Sequence, residues 1–302
     1  MTSAPEAPQP ASPAGTGTQP ASPAGTGTQP ASPAGTGKLR LGGMALRNGL
    51  LVHGPTHWAA AIRTDAGEIE VASGRKPRLR AADPIPGVRG IVRLAEAIVV
   101  IPLVKRALPA ARLPFQDPGV VAVAAGASLG GTLLRRRVRG AGGEAAAALV
   151  GFVPALFALR GGDLAAYHGV EHKAIGAYEA DDEDAADATK EHDRCGSHLV
   201  APMLATAAAG NVAVRRAGIG GPAAEGMVAL GSVAVAVEIF GWCERHSQTA
   251  LARALRRPGH EIQRMVGTRE PNEDQIEVGD AALAEILRVE AVASAQLEPP
   301  GA

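Results

Sequence analysis

The chain has 302 residues, enough for one or two domains, and its 30 basic side chains are balanced by 30 acidic ones, so no global positive field favours nucleic acid. Two cysteines, Cys195 and Cys243, are too few for a disulfide framework. Residues 9–37 repeat the decapeptide Gln-Pro-Ala-Ser-Pro-Ala-Gly-Thr-Gly-Thr almost three times, breaking at Lys38. With no aliphatic side chain larger than Ala, the repeat cannot bury a core, and residues 1–37 read as a disordered linker-like tail rather than a docking segment. They show no basic stretch leading into an apolar run, so no secretory signal is expected.

Residues 38–82 suggest a small soluble β-rich element. Leu50–Val52 and Trp58–Ile62 are short apolar runs, Thr64-Asp65-Ala66-Gly67 is a turn, and Glu68 to Val71 alternates, which predicts a hairpin. His53 and His57 flank the loop Gly54-Pro55-Thr56 and read as solvated loop histidines. Residues 83–117 predict a helix running from Gly87 to Val104, broken by Pro102 and Pro109, with a polarity suited to a membrane interface or to a soluble core.

Four apolar runs follow. Residues 119–134 carry no charge and lead into Arg135, Arg136, Arg137 and Arg139; 145–159 and 199–214 are also uncharged; 226–243 is interrupted only by Glu238. A bilayer-spanning helix needs about 20 apolar residues. The expected architecture is therefore mainly α: a polytopic membrane helical protein of about four spans within 83–243, preceded by the β-rich element and followed by a soluble helical tail at 244–302. Gly126 and Gly130 form a G-x-x-x-G pair compatible with close helix contact, and a homo-oligomer is compatible with the pattern. In the tail, a first helix made basic by Arg245, Arg253, Arg256 and Arg257 should end at Pro258-Gly259. Thr268-Arg269-Glu270-Pro271 reads as a turn, and Ile276, Leu283, Ile286 and Leu287 mark a last amphipathic helix.

The polar segment 160–198 lies between the second and third runs and carries Tyr167-His168-Gly169-Val170-Glu171-His172-Lys173. Four residues apart on a helix, His168 and His172 project from one face, one turn apart. H-x-x-E-H is the inverted zincin pattern, in which two histidines bind zinc and the glutamate activates a water. Asp163 is placed to cap the helix, and Leu164, His168, His172, Ile175 and Glu179 share one stripe. The acidic run Asp181 to Asp184 ends the helix without Ca-loop spacing. His192 and Cys195 are further ligand types. Glu238, a carboxylate in an apolar run, is the candidate third ligand, with Glu179 as its rival.

These motifs occur in a fixed order: Tyr-His-Gly-Val-Glu-His-Lys-Ala-Ile, Tyr178-Glu179, His192-x-Arg194-Cys195-Gly196, Glu238, Thr268-Arg269-Glu270-Pro271, then Gln275-Ile276-Glu277-Val278. Together with Gly42-Gly43, the series resembles the YqhQ-like family of bacterial membrane proteins, usually labelled predicted metal-dependent enzymes. The resemblance spans roughly 40–287 and implies a metal but no substrate. Ser197-His198 stands where Thr-Ser is expected, and Asp193 where Pro is common.

The leading expectation is a membrane-embedded zinc hydrolase, with His168, His172 and Glu238 as ligands, Glu171 as general base and a substrate in or near the bilayer. One alternative is a non-catalytic protein with a closed structural or sensory site of His168, His172, His192 and Cys195. The other is a transport or assembly scaffold. The expected location is a cell membrane, with the motif segment and both termini on the cytoplasmic side.

Overall fold

The computed structural model describes residues 38–77, 88–138, 140–160, 162–181 and 184–296. The repeat tail, the predicted helix start at 83–87, Arg139, and Asp182 and Glu183 of the acidic run lie outside the described residues.

Four strands, β1 (Gly42–Leu46), β2 (Gly49–His53), β3 (His57–Arg63) and β4 (Ile69–Arg75), form an antiparallel sheet in chain order, larger than the predicted hairpin. Both of its faces are covered, which is why β2 and β3 read as continuous apolar runs. Leu50, Val52, Ala59 and Ala61 turn to α4 (Asp163–Ala180) and α8 (Glu273–Ala295). Leu46, Leu51, Trp58 and Ile62 turn to α1 (Val88–Ala107), where they meet Val100 and Val104. Glu290 of α8, itself buried, clamps the β2–β3 turn. Its carboxylate accepts from the backbone N–H groups of Thr56 and His57, both at 2.7 Å, and from the Thr56 hydroxyl at 2.8 Å. The expectation of solvated loop histidines fails for His53, the last residue of β2: burial and nearby Lys76 push its pKa down to about 4.

α2 (Pro118–Arg137), α3 (Ala141–Leu159), α5 (Val200–Arg216) and α6 (Pro222–Arg245) coincide with the four apolar runs. Each candidate span, the third beginning at Gly196, is long and apolar enough to cross a membrane. Leu129 and Leu149 are each 62% exposed and Met227 70%, outward apolar surface that a water-soluble bundle would bury and lipid would not penalise. Glu144 at the start of α3 pairs with Arg135 at the end of α2 and with Arg215 at the end of α5, so the helices run alternately up and down. The sheet, α4, α7 (Ala250–Ile262) and α8 therefore gather at one end, with Arg135–Arg137 and Arg215–Arg216 at the other. The G-x-x-x-G pair is not the tight crossing. A Cβ on Gly126 would meet nothing within 4 Å, whereas one on Gly210 of α5 would lie 2.8 Å from Val228 of α6.

Two predicted breaks do not occur. α1 continues through Pro102, its lost hydrogen bond offset by the packing of Val100 and Val104 under the sheet. α7 continues through Pro258-Gly259 into a π turn at Gln263–Gly267. Gly259 is there for close approach: an added Cβ would lie 2.2 Å from His198 Nδ1. Asp163 is the first residue of α4, not its cap, which is Gly162 at φ 91°. Asp181, left-handed at φ 62°, ends α4 as expected of the acidic run.

Candidate metal centre

α4 is buried nearly all round rather than along one stripe, because four parts of the chain enclose it. β1 crosses at Gly43, where an added Cβ would lie 2.7 Å from Glu171 Cγ. α8 seats Gly279 against Val170. The strap 268–271 crosses at Gly169, where a Cβ would stand 2.4 Å from the Arg269 carbonyl oxygen. The loop after α4 is tied down by Lys173, which donates to Ala186 O and Ala188 O and pairs with Glu270 of the strap at 2.7 Å. Between Leu164 and Ala177 every residue except His168 is buried, so the enclosure opens at that side chain.

His168, His172 and Cys195 each offer a ligand atom, and these atoms lie within 4.8 Å of one another. Each histidine is oriented from its far side. His168 Nδ1–H donates to Gly267 O at 2.7 Å, and His172 Nδ1–H donates to Lys190 O at 2.6 Å. A carbonyl can only accept, so both Nδ1 atoms carry the proton and both Nε2 atoms face the cluster, the arrangement that orients metal-ligating histidines. Among the described residues, Nε2 of His172 is buried with no hydrogen-bond partner. Such a buried polar atom is costly unless it has a ligand. Burial and the neighbouring histidines hold His172 well below the usual histidine pKa, so the ring is neutral.

His168 behaves differently. Burial pulls its pKa down, but the hydrogen bond and charge of Cys195, the Glu171 carboxylate and the Gly267 carbonyl outweigh it and lift the pKa to about 9. His168 Nε2 and Cys195 Sγ share a hydrogen bond of 3.3 Å. That separation is close to the roughly 3.5 Å between nitrogen and sulfur on a tetrahedral zinc with bonds of about 2.0 and 2.3 Å. Loss of the shared proton would leave two lone pairs at ligand spacing. Cys195 caps the 3₁₀ turn Gly196–Leu199, its sulfur accepting from Ser197 N–H. The donor set thus fits a borderline-soft divalent ion such as zinc.

Glu171 is buried, and among the described residues its carboxylate makes no hydrogen bond. Burial raises its pKa, while the charges of His168 and His192 oppose the rise. The other candidates lie outside the cluster. His192 Nε2 is 3.2 Å from Glu179, which also pairs with Arg194, and burial lowers the His192 pKa. Glu179 is therefore committed to the loop. Glu238 lies on α6 and lines a separate apolar pocket with Val235, Ile239, Trp242, Leu251 and Leu255, so the structure does not bring it to the two histidines. His198 serves as a brace: Nδ1 meets Arg256 O at 2.9 Å, and its ring lies 4.5 Å from that of His260.

Gln263 carries no signal in the sequence, yet it is fully buried at the centre of the site's support. Its Oε1 accepts from His192 N–H at 2.7 Å, and its amide donates to His192 O and Ser197 Oγ. These bonds fix the loop that carries Cys195.

Residues 162–289 match the model of a family described as a protein of unknown function, DUF1385. The matched segment holds α4, the Cys195 loop, the strap and most of α8. No curated protein and no solved structure matches the chain. The match makes this segment similar to an uncharacterised family and carries no activity.

Proposed function

We propose that the protein is a membrane-embedded metal-dependent enzyme of hydrolase type. Its ligands are His168, His172 and Cys195, and its general base is Glu171. The observation that carries this reading is the buried, unpartnered Nε2 of His172 beside His168 Nε2 and Cys195 Sγ. Three protein ligands with an opening beside His168 match the composition of catalytic rather than closed structural sites. A bound divalent ion supplies Lewis acidity to a water or to an acyl or phosphoryl oxygen of the substrate.

The chain's own residues do the rest. The Gly267 and Lys190 carbonyls hold the two imidazoles in the tautomer that presents Nε2. Glu171 sits between the ligands in sequence and is enclosed under Gly43, where its raised pKa suits a base that takes a proton and returns it to a leaving group. A closed site would need His192 to abandon Glu179, and the hydrogen bond between them argues for the open set.

The test is metal content of purified full-length protein together with rescue of a deletion strain. Glu171→Gln should keep the metal and lose rescue, since loss of a general base costs ~10²–10⁴ in rate. His172→Ala should lose the metal. Full rescue by Glu171→Gln at native expression would end the enzyme reading.

A further inference from the structure

The end of the bundle opposite α4 holds a second polar site. Glu144, in the first turn of α3, is only 3% exposed, and its carboxylate is 3.1 Å from Arg135 Nε of α2 and 2.8 Å from Arg215 Nε of α5. One buried carboxylate therefore fixes arginines from two different helices. Arg136 and Arg216, next to them in the chain, make no hydrogen bond or ion pair among the described residues. All four line a cavity of about 680 Å³. Against them stand Glu144 and Glu225, which leaves a net positive charge of two among the described residues of its walls.

Three features define the ligand this cavity suits. First, the excess charge calls for an anion, and it is supplied entirely by arginine, whose planar fork suits the paired oxygens of a phosphate. Secondly, the cavity lies where α2 and α5 end, at the depth of lipid headgroups if these helices span. Thirdly, Leu133 and Leu129 stand three and seven residues before Arg136, on the same side of α2 one and two turns deeper, and both are exposed. An acyl chain below a bound headgroup would run along them.

We propose that this cavity binds the phosphate of an anionic phospholipid, at the membrane face remote from the histidine cluster. The arginines, not the bundle, set the affinity. Glu144 pre-positions Arg135 and Arg215, and Arg136 and Arg216 complete the ring of donors.

The test uses the full chain in phosphatidylcholine nanodiscs doped with phosphatidylglycerol, with bound lipid counted by native mass spectrometry. The double variant Arg136→Gln, Arg216→Gln removes exposed, unpaired side chains, and an unchanged melting temperature in pure phosphatidylcholine verifies its fold. Phosphatidylglycerol should be retained in preference to phosphatidylcholine, and the variant should bind it about 25-fold more weakly, at roughly fivefold for each arginine. A parallel titration with inorganic phosphate in neutral detergent separates the sources. Saturable binding of phosphate alone with the same arginine dependence would overturn the lipid assignment. Equal retention of the two lipids, or equal binding by variant and wild type, would overturn the site itself.

Discussion

α4 and the four apolar helices are all rich in alanine, yet they meet their polar requirements in opposite ways. In the bundle, hydroxyl side chains bond to their own helix: Thr132 to Ser128 O, Thr206 to Pro202 O, Ser232 to Val228 O. In α4 they bond to distant chain: His168 to Gly267, His172 to Lys190, Lys173 to Ala186 and Ala188. The bundle helices keep much of their surface exposed, whereas α4 is enclosed by segments drawn from residue 43 to residue 279. A helix meant only to span needs composition. A helix meant to hold reactive groups at fixed positions needs partners from elsewhere in the chain.

The largest effect that can break this comparison comes from the scaffold of α4. Glu290→Ala removes a buried carboxylate that accepts three hydrogen bonds and leaves two backbone N–H groups unpaired. It should destabilise the sheet end by about 3–5 kcal/mol, read as a lowered unfolding midpoint in detergent. A cost below about 1 kcal/mol would mean that α8 does not clamp the sheet.

A matched pair of truncations sharpens the contrast. Ile286→Ala empties a fully buried position between α8 and the sheet and should cost about 2–5 kcal/mol. Leu149→Ala trims a side chain on the outer face of α3 and should cost less than about 1 kcal/mol. Comparable losses would mean that the outer face of the bundle is packed against protein.

Acid should act on the sheet end through His53. Its folded pKa is about 4 against 6.5 unfolded. Below pH 6.5 the unfolded chain takes up a proton that the folded chain refuses until about pH 4, so stability falls across that window, by up to about 3 kcal/mol, and levels off below it. His53→Gln should lack this component, and the stability difference between wild type and variant should change between pH 7 and pH 4.5. A constant difference would place His53 in water.

The same contrast explains what the sequence made legible. The four runs of low charge are local properties, and α2, α3, α5 and α6 formed on them. The H-x-x-E-H spacing is also local, and it brought two histidines to one cluster. The sheet was only half visible, because the β1–β2 turn is set by Asn48, which bonds to residues as far away as Arg63, Ala110 and Arg112. Proline and glycine misled at 102 and 258–259, where tertiary packing outweighs the helix-breaking tendency. The third group at the cluster could not be ranked from spacing. Whether Cys195 or Glu238 reaches the histidines depends on how Gln263, 71 residues beyond His192, holds the Cys195 loop, and no pattern within one segment encodes that.

The central claim is that His168, His172 and Cys195 together bind a metal. Zinc K-edge X-ray absorption on the purified, full-length protein tests it most directly. The account predicts close to one zinc per chain, with one sulfur at about 2.3 Å, two imidazole nitrogens at about 2.0–2.1 Å and one further light atom, and loss of the sulfur shell in Cys195→Ser. Zinc with only nitrogen and oxygen neighbours, or no stoichiometric metal at all, would contradict it.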